Sequence, residues 1–330
     1  MFLTAMASFA CAFLNPANYI GGVDFRPERD IPDLSGKVIL VTGGNTGLGK
    51  ETIRQILVHH PAKVFLAARS EEKARAAITE LQKHAPDNQI QLTWLPLDLA
   101  STQSITNAAT TFQSQSDRLD VLILNAGVMA LPAGETDLGH EIQLGTNHTG
   151  HFLLTRLLLP TLLRTAEADG GSSDVRVVTL SSVGHNMAPD FGTILDQARL
   201  KQCNTNMRYG ASKAANILFA AELARRYPSL VSVSVHPGVI MTDLYGPLGK
   251  RVPGVTLGTK MIGMVSTSVE GGARNQLWAA VGAKREALAN GGYYVPVGNC
   301  RSNRYVTDEG MGRELWEWTE AELRRGGVEL

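Results

Sequence analysis

Lys37-Val38-Ile39-Leu40-Val41-Thr42-Gly43-Gly44-Asn45-Thr46-Gly47-Leu48-Gly49 is the stretch on which the reading of this chain turns. Its first half is a short apolar run rich in β-branched residues, the pattern of a strand buried on both faces of a parallel sheet. Its second half is a glycine-rich turn, followed by helical character over residues 51–59. Glycines there allow a tight turn, a close approach of backbone to phosphate and close packing of helix on strand. The helix N-terminus offers free N–H groups and the positive end of a dipole to a pyrophosphate. Standing alone, such a turn is weak evidence. After a first strand and before a helix it points to a dinucleotide held by Gly43, Asn45, Thr46, Gly47, Leu48 and Gly49.

Outward from this stretch, strand and helix signals alternate. Strands are expected at 62–67, 89–97, 120–124, 175–181, 230–235 and 292–297. Helices are expected at 71–83, 101–114, about 139–165, 209–227, much of 255–281 and near 313–325, with a polar Gly/Ser-rich loop at 168–174. Regular βα alternation with right-handed crossovers implies an α/β fold, a single doubly wound domain on a parallel sheet. The expected organisation is an irregular leader over 1–33, the main domain over 34–300 with a substrate lid at about 241–264, and a C-terminal helical extension over 301–330. Trp316 and Trp318, two apart on the last helix, cannot share a face, and partial core packing accounts for them.

Composition narrows the function classes. Lysine plus arginine and aspartate plus glutamate number 31 each, so the zero net charge gives no footprint for nucleic acid. The three cysteines, Cys11, Cys203 and Cys300, are far apart and odd in number, so neither a disulfide framework nor a zinc site is suggested, and a reducing, cytoplasmic setting is the default. Met1 to Leu14 is nearly all apolar and small. It is too short for a membrane span, lacks a basic signal region, and has no single apolar stripe. Packing on its own domain or on a partner subunit is favoured for it, with membrane contact or a disordered tail as alternatives.

The second strand names the cofactor. In an NAD-binding domain an acid at its end usually holds the adenosine ribose. Here the strand ends Phe65-Leu66-Ala67-Ala68-Arg69-Ser70. The Arg69 guanidinium suits a 2′-phosphate, which favours NADP(H). The alternative is a solvent-facing Arg69 with Glu71 or Glu72 reaching the ribose.

Tyr209-Gly210-Ala211-Ser212-Lys213 opens a strongly helical stretch. Four residues are about one turn, so Tyr209 and Lys213 project from one face. An ammonium beside a phenol favours the phenolate and suits the tyrosine to acid/base work on an alcohol oxygen. His148, His151, His185 and His236 are scattered, without spacing for a metal site, and read as structural. No Gly-x-Ser-x-Gly elbow supports a hydrolase.

With the glycine turn, the Tyr/Lys pair and their order, the chain resembles the short-chain dehydrogenase/reductase family from about Leu34 to Gly298, with its Rossmann-type fold. Leu97-Asp98-Leu99 matches the station where the family's adenine lies, implying Asp98 and Leu99 as contacts. Asn125-Ala126-Gly127 matches the family's wall of the cofactor cleft. His236-Pro237-Gly238 followed by Thr242 looks like the loop over the nicotinamide. Asn147 and Ser182 match the catalytic asparagine and serine. By this resemblance Tyr209 exchanges the proton, Lys213 also holds the nicotinamide ribose, Ser182 binds the substrate oxygen, and Asn147 holds a relay water. The long Ser182–Tyr209 interval and the Asn-His-x-Gly-His-Phe run are similar to retinol-dehydrogenase-like enzymes.

Residues 241–264 hold Leu244, Tyr245, Pro247, Leu248, Val252 and Val255, an apolar set suited to a lipophilic carbonyl or secondary alcohol, as in secondary metabolism. Cellular NADP pools are generally kept reduced, which favours reduction. Non-redox chemistry (dehydration, epimerisation or cyclisation) and cofactor sensing without turnover are the alternatives, and the intact set of four catalytic residues argues against both. Self-association through the helices bearing Asn147 and Tyr209 is a further expectation of the resemblance.

Overall fold

The computed structural model describes residues 22–85, 90–171, 173–238, 240 and 267–330. In it β1 (Val38–Thr42) is buried along its whole length, and its alternate residues go to opposite faces. Ile39 and Val41 enter one apolar cluster, and Val38 and Leu40 the other. This period of two is what a strand covered by helices on both sides requires.

The remaining strands are β2 (Lys63–Ala68), β3 (Gln91–Pro96), β4 (Val121–Leu124), β5 (Arg176–Leu180), β6 (Val231–Val235), β7 (Tyr293–Val295) and β8 (Asn299–Arg301). They form one sheet in the order β3-β2-β1-β4-β5-β6-β7-β8. The first seven run parallel, with Val41 opposite Leu66 of β2 and Ile123 of β4. The expected parallel sheet is present, with one added edge strand, β8, that pairs antiparallel with β7. Strand order reverses between β1 and β4, and the crevice outside the C-terminal ends of those strands is where such sheets bind ligands.

The longer helices are α1 (Gly47–Leu57), α2 (Glu71–Leu81), α3 (Thr102–Gln115), α4 (Gly150–Gly171), α5 (Thr205–Arg226), α6 (Val269–Leu277) and α7 (Glu309–Arg325). Ile53, Ile56 and Leu57 of α1 join Ala273 and Leu277 of α6 on the Ile39 face. Phe112 of α3 and Phe152 and Leu158 of α4 join the Leu40 face.

Two expectations change here. The helix expected from about residue 139 is interrupted by a π-helical turn at Gly145–Thr149, just before α4. At its other end α4 runs on to Gly170 and Gly171, both at positive φ, so the loop expected at 168–174 is shorter. The leader's described end is bound to the domain. Val23 N–H donates to Val297 O at 2.9 Å, and Phe25 is buried against Gly282, where a Cβ would lie 2.3 Å from the Phe25 ring.

α7 lies across the seam between α4 and α5. Trp316 is buried there, with ring centroids 4.7 Å from Phe152 and 5.9 Å from Phe219, and the Arg226 guanidinium lies 4.7 Å from its ring. Trp318 faces elsewhere and stacks on His140 at 5.4 Å. The chain's own helix therefore covers part of the seam through which self-association was expected. Among the described residues no helix is long and apolar enough to cross a membrane. Residues 1–14 and the expected lid at 241–264 lie outside the described residues. The described residues on either side of 241–266, Ile240 and Thr267, pair as a parallel bridge.

Candidate active site

A cleft of about 300 Å³ opens at the reversal point of the sheet. Gly43, Asn45, Thr46, Gly47 and Leu48 line one side, Asn125, Ala126 and Gly127 another, and Leu180, Ser181, Tyr209, Lys213 and Pro237 the rest. The glycine turn is shaped by close approach. A Cβ on Gly49 would lie 2.3 Å from Gly43 O and 2.5 Å from Asn125 Nδ2, and one on Gly44 would lie 2.6 Å from Ile53 Cδ1. Gly43 and Gly47 take positive φ, +66° and +53°. Asn125 Nδ2 donates to Thr42 O at 2.8 Å, which locks the end of β4 to the end of β1.

The start of α1 stands out among the helix ends. Ser70, Ser101, Asn204, Ser268 and Asp308 cap α2, α3, α5, α6 and α7 through their side chains. Thr46, a residue well suited to the same task, makes no such bond at α1. The first N–H groups of α1 therefore lack a side-chain acceptor where the cleft meets the positive end of the helix dipole. This end of the cleft has the chemistry to hold a phosphate.

Tyr209 and Lys213 sit in the first half of α5, both buried. The Lys213 ammonium lies 5.7 Å from the Tyr209 ring centroid and donates to Leu180 O at 3.0 Å. Burial lowers its pKa from 10.5 to about 8, so it remains cationic at neutral pH. Gly127 lies beside that ammonium, where a Cβ would be in contact with Nζ at 3.5 Å. Asn216, one turn further on, donates to the same Leu180 carbonyl at 2.9 Å.

Ser182 follows β5, and its Oγ accepts from Gly184 N–H at 3.0 Å. Gly184 is what lets Ser182 and Tyr209 approach one another. A Cβ there would lie 3.2 Å from Ser182 Oγ and 2.8 Å from Tyr209 Cε1. Asn147 is fully buried in the π-helical turn. Its Oδ1 accepts from Val128 N–H at 2.7 Å, and its Nδ2 donates to Ser212 Oγ at 2.9 Å and Val128 O at 3.0 Å. It thus ties the segment after Asn125-Ala126-Gly127 to the turn between Tyr209 and Lys213. A buried ion pair between Glu141 and Arg208, at 2.9 Å, joins the segment just before the π-helical turn to the start of α5.

The other expected cofactor contacts are dispersed. Arg69 follows β2 and is highly exposed, with its guanidinium 3.8 Å from Asp98. Leu99 is buried in the core and packs its carbonyl against Gly150, so it does not line the cleft. Gly238 follows Pro237 at positive φ, and Thr242 lies outside the described residues.

Each of the four histidines is held in the interior. His148 meets Thr319 Oγ1 at 3.1 Å, and burial lowers its pKa to about 3. His185 donates from Nδ1 to Ser182 O at 2.7 Å. Burial lowers the pKa of His236 to about 3. His151 bridges Thr42 Oγ1 and Asn147 O, each at 2.9 Å. Among the described residues no group of three or more His, Cys, Asp or Glu side chains could hold a metal. Sequence reading passed over Thr42, Gly184, Glu141 and Arg208 as site residues. Thr42 stands beside the glycine turn and Arg208 beside Tyr209, which was the available signal.

With this geometry in hand, the chain can be set beside known proteins. The sequence profile of the short chain dehydrogenase family matches residues 37–252. A short-chain dehydrogenase/reductase of Armillaria gallica is 42% identical over 302 residues, covering 90% of this chain and 93% of that protein. Human retinol dehydrogenase 13 is 35% identical over 320 residues, covering 95% and 92%. Among solved structures, an uncharacterised protein from Mycobacterium paratuberculosis superposes with a TM-score of 0.66 at 29% identity, over 92% of this chain and 98% of that one. NADPH-bound carbonyl reductase from chicken fatty liver shares the fold, with a TM-score of 0.62 at 22% identity, over 86% and 100%. Profile and relatives together cover nearly the whole described domain, and the chain belongs to the short-chain dehydrogenase/reductase family, whose general chemistry is NAD(P)H-dependent hydride transfer.

Proposed function

We propose that this protein is an NADP(H)-dependent reductase that interconverts a ketone or aldehyde and an alcohol on a lipophilic small molecule, with Tyr209 as the acid/base. The observation that carries this reading is a cleft lined by Tyr209 and Lys213, with Ser182 beside Tyr209 across Gly184, that begins at an uncapped, glycine-lined helix end. The bound cofactor supplies the hydride in reduction and accepts it in oxidation.

The chain's own residues manage one proton and the charge that accompanies it. Tyr209 gives a proton to the carbonyl oxygen in reduction and takes it back in oxidation. Lys213 places a positive charge beside the phenol and favours its ionised form. Ser182 donates its hydroxyl proton to the substrate oxygen. The bond from Gly184 N–H occupies a lone pair of Oγ and leaves that proton available. A preorganised donor of this kind contributes roughly 3–4 kcal/mol to the transition state. The side chain of Asn147 is committed to Val128 and Ser212, so the relay water toward Lys213 is assigned to the second lone pair of its backbone carbonyl, the first accepting from His151.

Arg69 supports the choice of NADP(H). It is 78% exposed and only 3.8 Å from Asp98, so its donors are not tied up in a tight pair. The apolar residues at 241–264 support a lipophilic substrate, and a 35% identical relative named a retinol dehydrogenase supports a place in the retinol-dehydrogenase-like subgroup.

Three outcomes are expected. With acetophenone, decanal or phenanthrenequinone as probe, kcat/KM with NADPH exceeds that with NADH at least tenfold, roughly the worth of one charge-assisted phosphate contact. Arg69→Ser narrows that ratio, and a clear NADH preference in the wild type contradicts the assignment. Tyr209→Phe lowers kcat at least roughly 100-fold while NADPH still binds, as loss of a general acid requires. Retained turnover in that variant removes the acid/base role. The third outcome concerns stability. The folded pKa of Lys213, about 8, lies below its reference value of 10.5, so the unfolded chain binds more protons between the two. The cost of burying the charge is fully present below pH 8 and is relieved as pH rises toward 10.5. Wild type therefore gains stability relative to Lys213→Met across that window in paired urea denaturations, and a constant difference contradicts the burial of a charged lysine.

A further inference from the structure

We propose that His151 is a positioning residue for this reaction, orienting the Asn147 backbone carbonyl and tethering it to the ends of β1 and β4 through Thr42. The inference rests on the reading of Asn147 given above.

The geometry sets the direction of every bond in the chain. His151 is 1% exposed, its Nδ1 lies 2.9 Å from Asn147 O, and its Nε2 lies 2.9 Å from Thr42 Oγ1. A carbonyl can only accept, so Nδ1 carries the proton. Burial, with Lys213 as a nearby cation, lowers the His151 pKa to about 4 and keeps the ring neutral. In a neutral imidazole Nε2 is then an acceptor, and the Thr42 hydroxyl must donate to it. The Thr42 oxygen in turn accepts from Ala126 N–H at 3.0 Å. The carbonyl of Ile123 competes for the Thr42 proton only at 3.5 Å, a poorer distance than 2.9 Å.

The result is one directed line from Ala126 N–H through Thr42 O–H and the His151 ring to the Asn147 carbonyl. It joins the wall of the cofactor cleft and the foot of the glycine turn to the backbone carbonyl of Asn147. One lone pair of that carbonyl is committed to the ring, which fixes where the second one points. A π-helical turn at Asn147 displaces the regular backbone ladder there, so a side-chain donor has room to set the carbonyl's direction. The neutral ring also adds no second positive charge beside Lys213.

Paired variants separate positioning from simple core filling. In His151→Asn the side-chain amide takes the place of Nδ1 and still donates to Asn147. In His151→Gln the amide reaches Thr42 and leaves Asn147 without its donor. With phenanthrenequinone and NADPH, His151→Gln and Thr42→Val lose about tenfold in kcat, the effect of one lost positioning hydrogen bond. His151→Asn and Thr42→Ser recover most of that loss, at similar thermal midpoint and NADPH Kd. Equal kcat in the Asn and Gln variants overturns the proposal. A second measurement needs no variant. Nitrogen-15 NMR of the wild type at neutral pH should show His151 neutral with the proton on Nδ1, and the opposite tautomer or a charged ring overturns the proposal. Tyr209→Phe in the same assay keeps the two readings apart, because retained turnover there counts against the acid/base role and leaves the tautomer measurement unaffected.

Discussion

The crest of β1 leaves no room for a side chain, and the rest of the site depends on that constraint. Gly49 meets the Gly43 carbonyl and Asn125 so closely that a Cβ would sit 2.3 and 2.5 Å from them. This contact brings the start of α1 against the strand end, where its N-cap Thr46 makes no side-chain cap bond. The same contact presses the end of β4 against β1, where Asn125 and Ala126 bond back to Thr42. The cleft, its glycine-lined end and its inner wall are thus products of one close approach at the reversal of strand order.

Against that frame the fold places costly groups in fixed positions. Lys213 is buried with its charge, and desolvation brings its pKa down to about 8. The Leu180 carbonyl offsets part of that cost at 3.0 Å, and Asn216 satisfies the same carbonyl from the next turn. Glu141 and Arg208 are paired in the interior a few residues from Asn147 and Tyr209. Buried pairs of this kind contribute little net stability but penalise any arrangement that separates them. In this account the pair serves alignment, since it holds the π-helical turn and α5 in one register.

Much of this was legible in the residues. The apolar run 37–42 and the turn after it are local signals, and β1, α1 and the cleft are where they place them. Tyr209, Lys213, Asn125, Ala126 and Gly127 all line or adjoin the cleft. What escaped was tertiary in origin. β8 is a three-residue polar strand that exists because β7 offers it an edge. The π-helical turn lies within an otherwise helical run, and nothing in local propensity separates it from an unbroken helix. Leu99 sits at the expected station yet turns into the core, because Gly150 admits its carbonyl at close range. His151 was visible as part of a run, but its partner Thr42 lies 109 residues earlier in the chain, beyond the reach of any local pattern.

The proposed reaction moves a hydride between a nicotinamide and a carbonyl carbon in this cleft while Tyr209 moves the proton. The most direct measurement follows the label. NADPH carrying deuterium at the reactive position of the nicotinamide ring is incubated with a ketone that the enzyme turns over, and the product is read by mass spectrometry and NMR. The account predicts one deuterium on the carbinol carbon for each NADPH oxidised, with the hydroxyl proton drawn from solvent. A product formed without deuterium, or without matching loss of NADPH, would contradict it.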